Sequence, residues 1–178
     1  LRQGTGNYWD GAGFDSATEV FLAATGTAPW SLAFADAAFP ADGSYTVRAR
    51  ATDLAGNVTT SPDAVFQYDT TPPAPGPVAA PDVDAGGAGQ TSYQFTIQFT
   101  DNIAVDAATL DGNDVTVTGP NSFSQSATFV SVDPAGNGTP RTATYQITPP
   151  GGSWGKADNG TYTIGLNANQ VFDTAGNV

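Results

Sequence analysis

Apolar and polar residues alternate one for one in short runs along this chain, at 45–50, 93–100, 114–118, 127–132, 142–148 and 162–166. A period of two places successive side chains on opposite faces of a strand, one face dry and the other wet. Clusters of Gly, Pro and Asn separate the runs, and a helical period is missing. Short strands with turn signals between them predict an all-β chain, folded as an antiparallel sandwich or barrel. A further strand is expected at 64–68, where Ala64-Val65-Phe66-Gln67-Tyr68 is rich in β-formers.

The chain also repeats itself. Gly43-Ser44-Tyr45-Thr46-Val47 leads to Asp53-Leu54-Ala55-Gly56-Asn57-Val58, and Gly160-Thr161-Tyr162-Thr163-Ile164 leads to Asp173-Thr174-Ala175-Gly176-Asn177-Val178. Two motifs recurring in the same order at similar spacing mark tandem modules. Between them, residues 72–77 contain Pro72, Pro73, Pro75 and Pro77. Proline donates nothing to a ladder and holds the backbone extended, so this segment reads as a stiff linker. The expected division is a first module at 1–71, the linker at 72–77 and a larger second module at 78–178. The Gly-rich 85–89 segment reads as a hairpin or surface loop.

Composition narrows the chemistry. Five Lys and Arg stand against 17 acids, a formal net charge of −12, so nucleic acid and anionic lipid are unsuitable partners. Sixteen of the acids are Asp, and Glu19 is the only Glu. Asp suits turns and compact oxygen cages for hard cations, whereas Glu suits helices. Cys and His are absent, which removes disulfides, thiolate chemistry, imidazole ligands and any Ser-His-Asp triad. The paired carboxylates Asp111 with Asp114 and Asp82 with Asp84 lie in turn-like contexts, without an apolar pocket to tune a proton. No phosphate loop or nucleophile elbow appears. The expectation is a non-catalytic chain. No run approaches the ~20 apolar residues of a membrane helix, so no membrane insertion is expected of this segment.

Asp42-Gly43-Ser44-Tyr45 and Asn159-Gly160-Thr161-Tyr162 resemble the turn into strand F of immunoglobulin-like (Ig-like) sandwiches. There, a tyrosine near the strand start bonds back to the turn backbone. With the run from Tyr45 to Val58, then Asp69-Thr70-Thr71-Pro72-Pro73, the chain resembles the bacterial Ig-like repeats of large adhesins and other cell-surface proteins. Thr100-Asp101-Asn102-Ile103-Ala104-Val105-Asp106 adds to the likeness in the second module. The resemblance implies tandem Ig-like antiparallel β-sandwich modules of an extracellular protein, at a bacterial surface or secreted, whose partners are neighbouring modules of the same chain. Host or surface glycans and proteins would be met through other domains. Asp53 follows 52 residues, whereas Asp173 lies 99 residues beyond Ala74. The first module is therefore expected to lack its first strands and the second its last, with a neighbouring chain as the alternative source of the missing strands.

In such a sandwich the segments 69–71, 101–106 and 173–177 would share one pole. Asp69, Asp101, Asn102, Asp106, Asp173 and Asn177 are the candidate ligands for Ca²⁺, which takes six to eight oxygens from carboxylates, amides and carbonyls. The competing reading makes the same residues plain turn formers. The repeats that the chain resembles bind Ca²⁺ at module junctions, which implies a stiffened array. Aromatics carry the second function class. Tyr8, Trp9, Trp30 and Trp154 could stack on sugars, with Trp154, after Pro149-Pro150-Gly151-Gly152-Ser153, the one expected to be exposed as a glycan contact. Trp9 and Trp30 would otherwise fill the core or its rim. The two functions left open are a Ca²⁺-stiffened spacer supporting adhesion and a carbohydrate-binding accessory module of a secreted enzyme.

Overall fold

The described elements are strands and single 3-10 turns. The computed structural model describes residues 1–26 and 28–178, and these divide into two units, Leu1–Thr70 and Thr71–Val178.

In the first unit, β1 (Arg2–Gln3), β2 (Gly43–Val47) and β5 (Ala64–Tyr68) form an antiparallel sheet in the order β1-β2-β5. A separate hairpin pairs β3 (Arg50–Thr52) with β4 (Val58–Thr60). The core here is aromatic. Phe39 stacks on Tyr68 at 4.1 Å between ring centroids, Tyr45 stacks on Phe66 at 5.7 Å, and Trp9 meets Phe34 edge-on at 5.0 Å. Such contacts hold a unit with few aliphatic residues, since each ring buries a large apolar area. Tyr45 is nonetheless the only large apolar residue described as fully buried in this unit.

The second unit carries β6 (Ala74–Ala79), β7 (Tyr93–Thr100), β8 (Val115–Gly119), β9 (Phe123–Ser126), β10 (Thr128–Asp133), β11 (Arg141–Ile147) and β12 (Thr163–Leu166). They form two antiparallel sheets, ordered β10-β11-β7-β6 and β12-β8-β9. Alternate residues of both sheets meet in one cluster, Phe95, Ile97 and Phe99 from β7, Val115 and Val117 from β8, and Ala143, Tyr145 and Ile147 from β11. Two sheets sharing one dry layer is what a β-sandwich requires. The period-two runs thus fall on strands, with shifts of a residue or so at the ends. The exception is 45–50, which is interrupted after Val47 and resumes as β3.

The Pro-rich segment differs from the expectation. Ala74–Ala79 is not part of a linker but the edge strand β6, paired with β7 from Ala74↔Thr100 to Ala79↔Thr96, with a bulge between Pro75 and Val78. An outer strand tolerates prolines because one row of its backbone groups has no partner to satisfy. The second unit, which starts at Thr71, accordingly takes in the whole of what reads as linker. The 85–89 segment forms a 3-10 turn at Ala85–Gly87, with Asp84 accepting from the Gly86 N–H at 2.8 Å.

Candidate metal centre

Val105 organises one end of the second unit. It is fully buried and exchanges both backbone bonds with Gly138, at 3.0 and 3.1 Å. It also bridges Asp173, while Thr174 N–H donates to Ala104 O at 3.0 Å and Asp106 N–H to Phe172 O at 2.9 Å. Three loops far apart in sequence, after β7, after β10 and after β12, are thereby tied together. Each would otherwise leave buried backbone groups without partners.

The first loop is shaped by Asp101. Its Oδ1 accepts from the N–H groups of Ile103 and Ala104, both at 2.7 Å, and its own N–H donates to Thr139 Oγ1 at 2.9 Å. The other oxygen, Oδ2, is buried and makes no hydrogen bond. The third loop is shaped by Asp173 in the same way. Its Oδ1 accepts from Ala175 and Asn177 N–H at 2.8 Å each, and its Oδ2 from the Asn177 amide at 2.7 Å. Asp173 is 2% exposed. Asp101 and Asp173 each offer a carboxylate oxygen within 4.8 Å of the other. Two carboxylates this close repel unless a proton or a cation lies between them.

The repeat provides an internal comparison. Asp53 makes the same bonds in the first unit, to Ala55 and Asn57 N–H at 2.9 and 2.8 Å and to the Asn57 amide at 2.8 Å. These bonds hold the Asp53 carboxyl below its ordinary value, the Asn57 amide first among them. The D-x-A-G-N-V loop is thus self-sufficient as a turn. What distinguishes the second copy is its neighbour, the buried Asp101 oxygen.

The other expected ligands take different places. Asp106 caps the 3-10 turn Ala107–Thr109 through Ala108 N–H at 3.1 Å. Asn177 directs its amide nitrogen at Asp173. Asn102 is exposed beside Asp101. Asp69 directly follows β5 and is half-buried, at the end of the first unit. The loop after β10 was absent from the expected set, although Asn137 Oδ1 accepts from Ala107 N–H at 3.0 Å. Its Asp133-Pro134-Ala135-Gly136-Asn137 run was the one available signal.

Trp154 is a correction. It is 9% exposed and packs edge-on against Tyr93 at 6.2 Å and Tyr162 at 5.2 Å. The turn at Pro150–Gly152 carries the chain back so that Trp154 N–H meets Gln90 O at 3.0 Å and Gly89 N–H meets Trp154 O at 2.8 Å. It offers no open face for a sugar. Trp30 is the exposed tryptophan, at 59%.

Sequence reasoning also missed Asp114, which reads as a turn former but is fully buried. Its Oδ2 accepts from Tyr145 Oη at 2.6 Å and from Asp111 N–H at 2.8 Å. Burial, opposed by these bonds, pushes its carboxyl above the ordinary value.

No family model, curated protein or solved structure matches the chain.

Proposed function

We propose that the chain is a pair of non-catalytic Ig-like modules serving as extracellular spacers in a bacterial surface or secreted protein, with Ca²⁺ stiffening the segment where they join. The strand orders support the Ig-like reading. If β6, β7, β8, β9, β10, β11 and β12 are strands A, B, C, C′, D, E and F, the sheets run D-E-B-A and F-C-C′, as in that fold. The tyrosines agree with it. Tyr45 Oη donates to Ala41 O at 2.6 Å and Tyr162 Oη to Asp158 O at 3.1 Å, each four residues back.

The observation that carries the cation is the buried Oδ2 of Asp101, without a hydrogen bond and close to the Asp173 carboxylate. Burying a carboxylate oxygen without a partner is costly, and a hard cation removes the cost and the repulsion together. Asp69 is proposed as the third carboxylate. Asn102 and backbone carbonyls would complete the shell.

Thermal unfolding in EDTA and in millimolar Ca²⁺ tests this. A ligand that binds only the folded state adds about 2.7 kcal/mol at a hundred times its Kd, so the midpoint should rise by several degrees. Asp101→Asn and Asp173→Asn should abolish the rise, whereas Asp53→Asn, in the matching loop, should keep it. A midpoint indifferent to Ca²⁺, or a rise that survives both of the first two substitutions, would refute the site. The carbohydrate-binding alternative now rests on Trp30, whose exposure makes a stacking surface available. Quenching of tryptophan fluorescence by soluble glycans, lost in Trp30→Ala, would favour it.

A further inference from the structure

Asparagine followed by glycine is a reactive pair, because no side chain on the glycine shields its backbone nitrogen from the asparagine amide carbon. The sequence holds two such pairs, Asn137-Gly138 and Asn159-Gly160, both in the second unit. The fold treats them differently. Asn137 Oδ1 accepts from Ala107 N–H at 3.0 Å, and its backbone oxygen accepts from Arg141 Nη2. Gly138 N–H donates to the carbonyl of the buried Val105 at 3.1 Å. At this pair the side chain and the nitrogen that would attack it are both engaged.

Asn159 and Gly160 are exposed. Among the described residues, neither the Asn159 side-chain amide nor the Gly160 N–H makes a hydrogen bond. Asn159 follows the 3-10 turn Lys156–Asp158 with φ −58° and ψ 130°. Ring closure therefore needs a rotation about its own Cα–C bond, which no ladder bond opposes. Glycine is required at 160, where φ is +152° and an added methyl group would lie 2.5 Å from Pro120 Cγ. The fold thus demands the residue that makes Asn159 reactive.

The repeat shows that the product fits. The first copy of this turn reads Asp42-Gly43, with Gly43 at φ +140°. Asp42 Oδ1 accepts from Thr70 N–H and Oγ1 at 3.1 and 3.0 Å, and Tyr45 bonds back to Ala41 O beside it. We propose that Asn159 is a self-modifying site, at which the folded chain converts asparagine to aspartate and isoaspartate with water as the co-reactant. Gly160 N gives its proton to hydroxide and attacks Asn159 Cγ. The new N–C bond closes a succinimide, while Nδ2 takes a proton from water and leaves as ammonia. Water then opens the ring at either carbonyl, giving aspartate or the isomer whose main chain runs through Cγ. Each conversion adds a negative charge to a chain already at −12. The isomer also lengthens the main chain beside Asp158, whose carbonyl accepts from Tyr162 Oη at 3.1 Å. The inference depends on neither the spacer role nor the cation.

The intact chain is held in mildly alkaline buffer at physiological temperature, then digested and mapped by mass spectrometry, with isoaspartate counted by enzymatic methylation. The peptide carrying Asn159 should become about 1 Da heavier. It should do so about tenfold faster than the peptide carrying Asn137, which reacts only when its loop opens. In guanidinium chloride the two should convert at similar rates. Asn159→Gln should remove the isoaspartate signal of the folded chain and leave its unfolding midpoint unchanged. Equal rates in the folded chain, faster conversion at Asn137, or a preference that persists in denaturant would overturn the proposal. So would an Asn159 that converts in the unfolded chain and stays intact in the folded one.

Discussion

At the scale of single residues, the second unit encloses a carboxylate that no surface role explains. Asp114 is held by Tyr145 and Asp111, while its Oδ1 is buried and makes no hydrogen bond. Its carboxyl titrates above the ordinary value because burial opposes its charge. The folded state therefore favours the protonated form. That contribution is fully present below the ordinary value and is lost as pH rises through the raised one. Urea unfolding of the wild type and of Asp114→Asn should show this directly. The stability of the wild type relative to the variant should fall as pH rises above the ordinary carboxylate range, and a constant difference would contradict the assignment. Tyr145→Phe removes the hydroxyl donor from a buried acid and should cost about 1–3 kcal/mol at neutral pH, measured in the same way.

At the scale of elements, the two D-x-A-G-N-V loops form a matched pair. Gly56 has φ +88° and Gly176 φ +92°, and a methyl group added to either would meet nothing within 4 Å. Alanine there is opposed by the backbone conformation alone, at about 1–2 kcal/mol. Gly56→Ala and Gly176→Ala should lose similar stability in denaturant unfolding of the Ca²⁺-free protein. A much larger loss at one would mean that the loops differ in more than their backbone. Such loops were legible in the sequence because Asp, Gly and Asn each serve a local geometry. So was β7, whose Tyr93–Thr100 run buries every second residue in its inner part. What escaped depends on distant partners. β6 is a strand because Thr96–Thr100 lies beside it, and β9 reads as polar loop until Val117 and its neighbours give it a ladder. Trp154 is buried by segments around Gly89 and Tyr93, which no local pattern announces. The approach of Asp101 to Asp173 was expected from an assumed sandwich order, whereas the spare Asp101 oxygen could be seen only in three dimensions.

At the scale of the whole chain, apolar burial is uneven. The described cluster of buried apolar residues lies entirely in the second unit, whereas the first relies on half-buried aromatics around Tyr45. Regions with fewer buried contacts open at lower free energy. Hydrogen exchange should therefore find the slowest amides in β7, β8 and β11, with those of Leu1–Thr70 exchanging faster; slowest exchange in the first unit would reverse this ranking. One edge of the larger sheet also bears on solubility. Pro75 and Pro77 in β6 bring no N–H to that border, and a bulge interrupts its register. A neighbouring molecule meeting it finds an incomplete template, so at high concentration this flank should not nucleate fibrillar stacking. The prolines that read as a stiff linker in the sequence thus act in the fold as a barrier to aggregation.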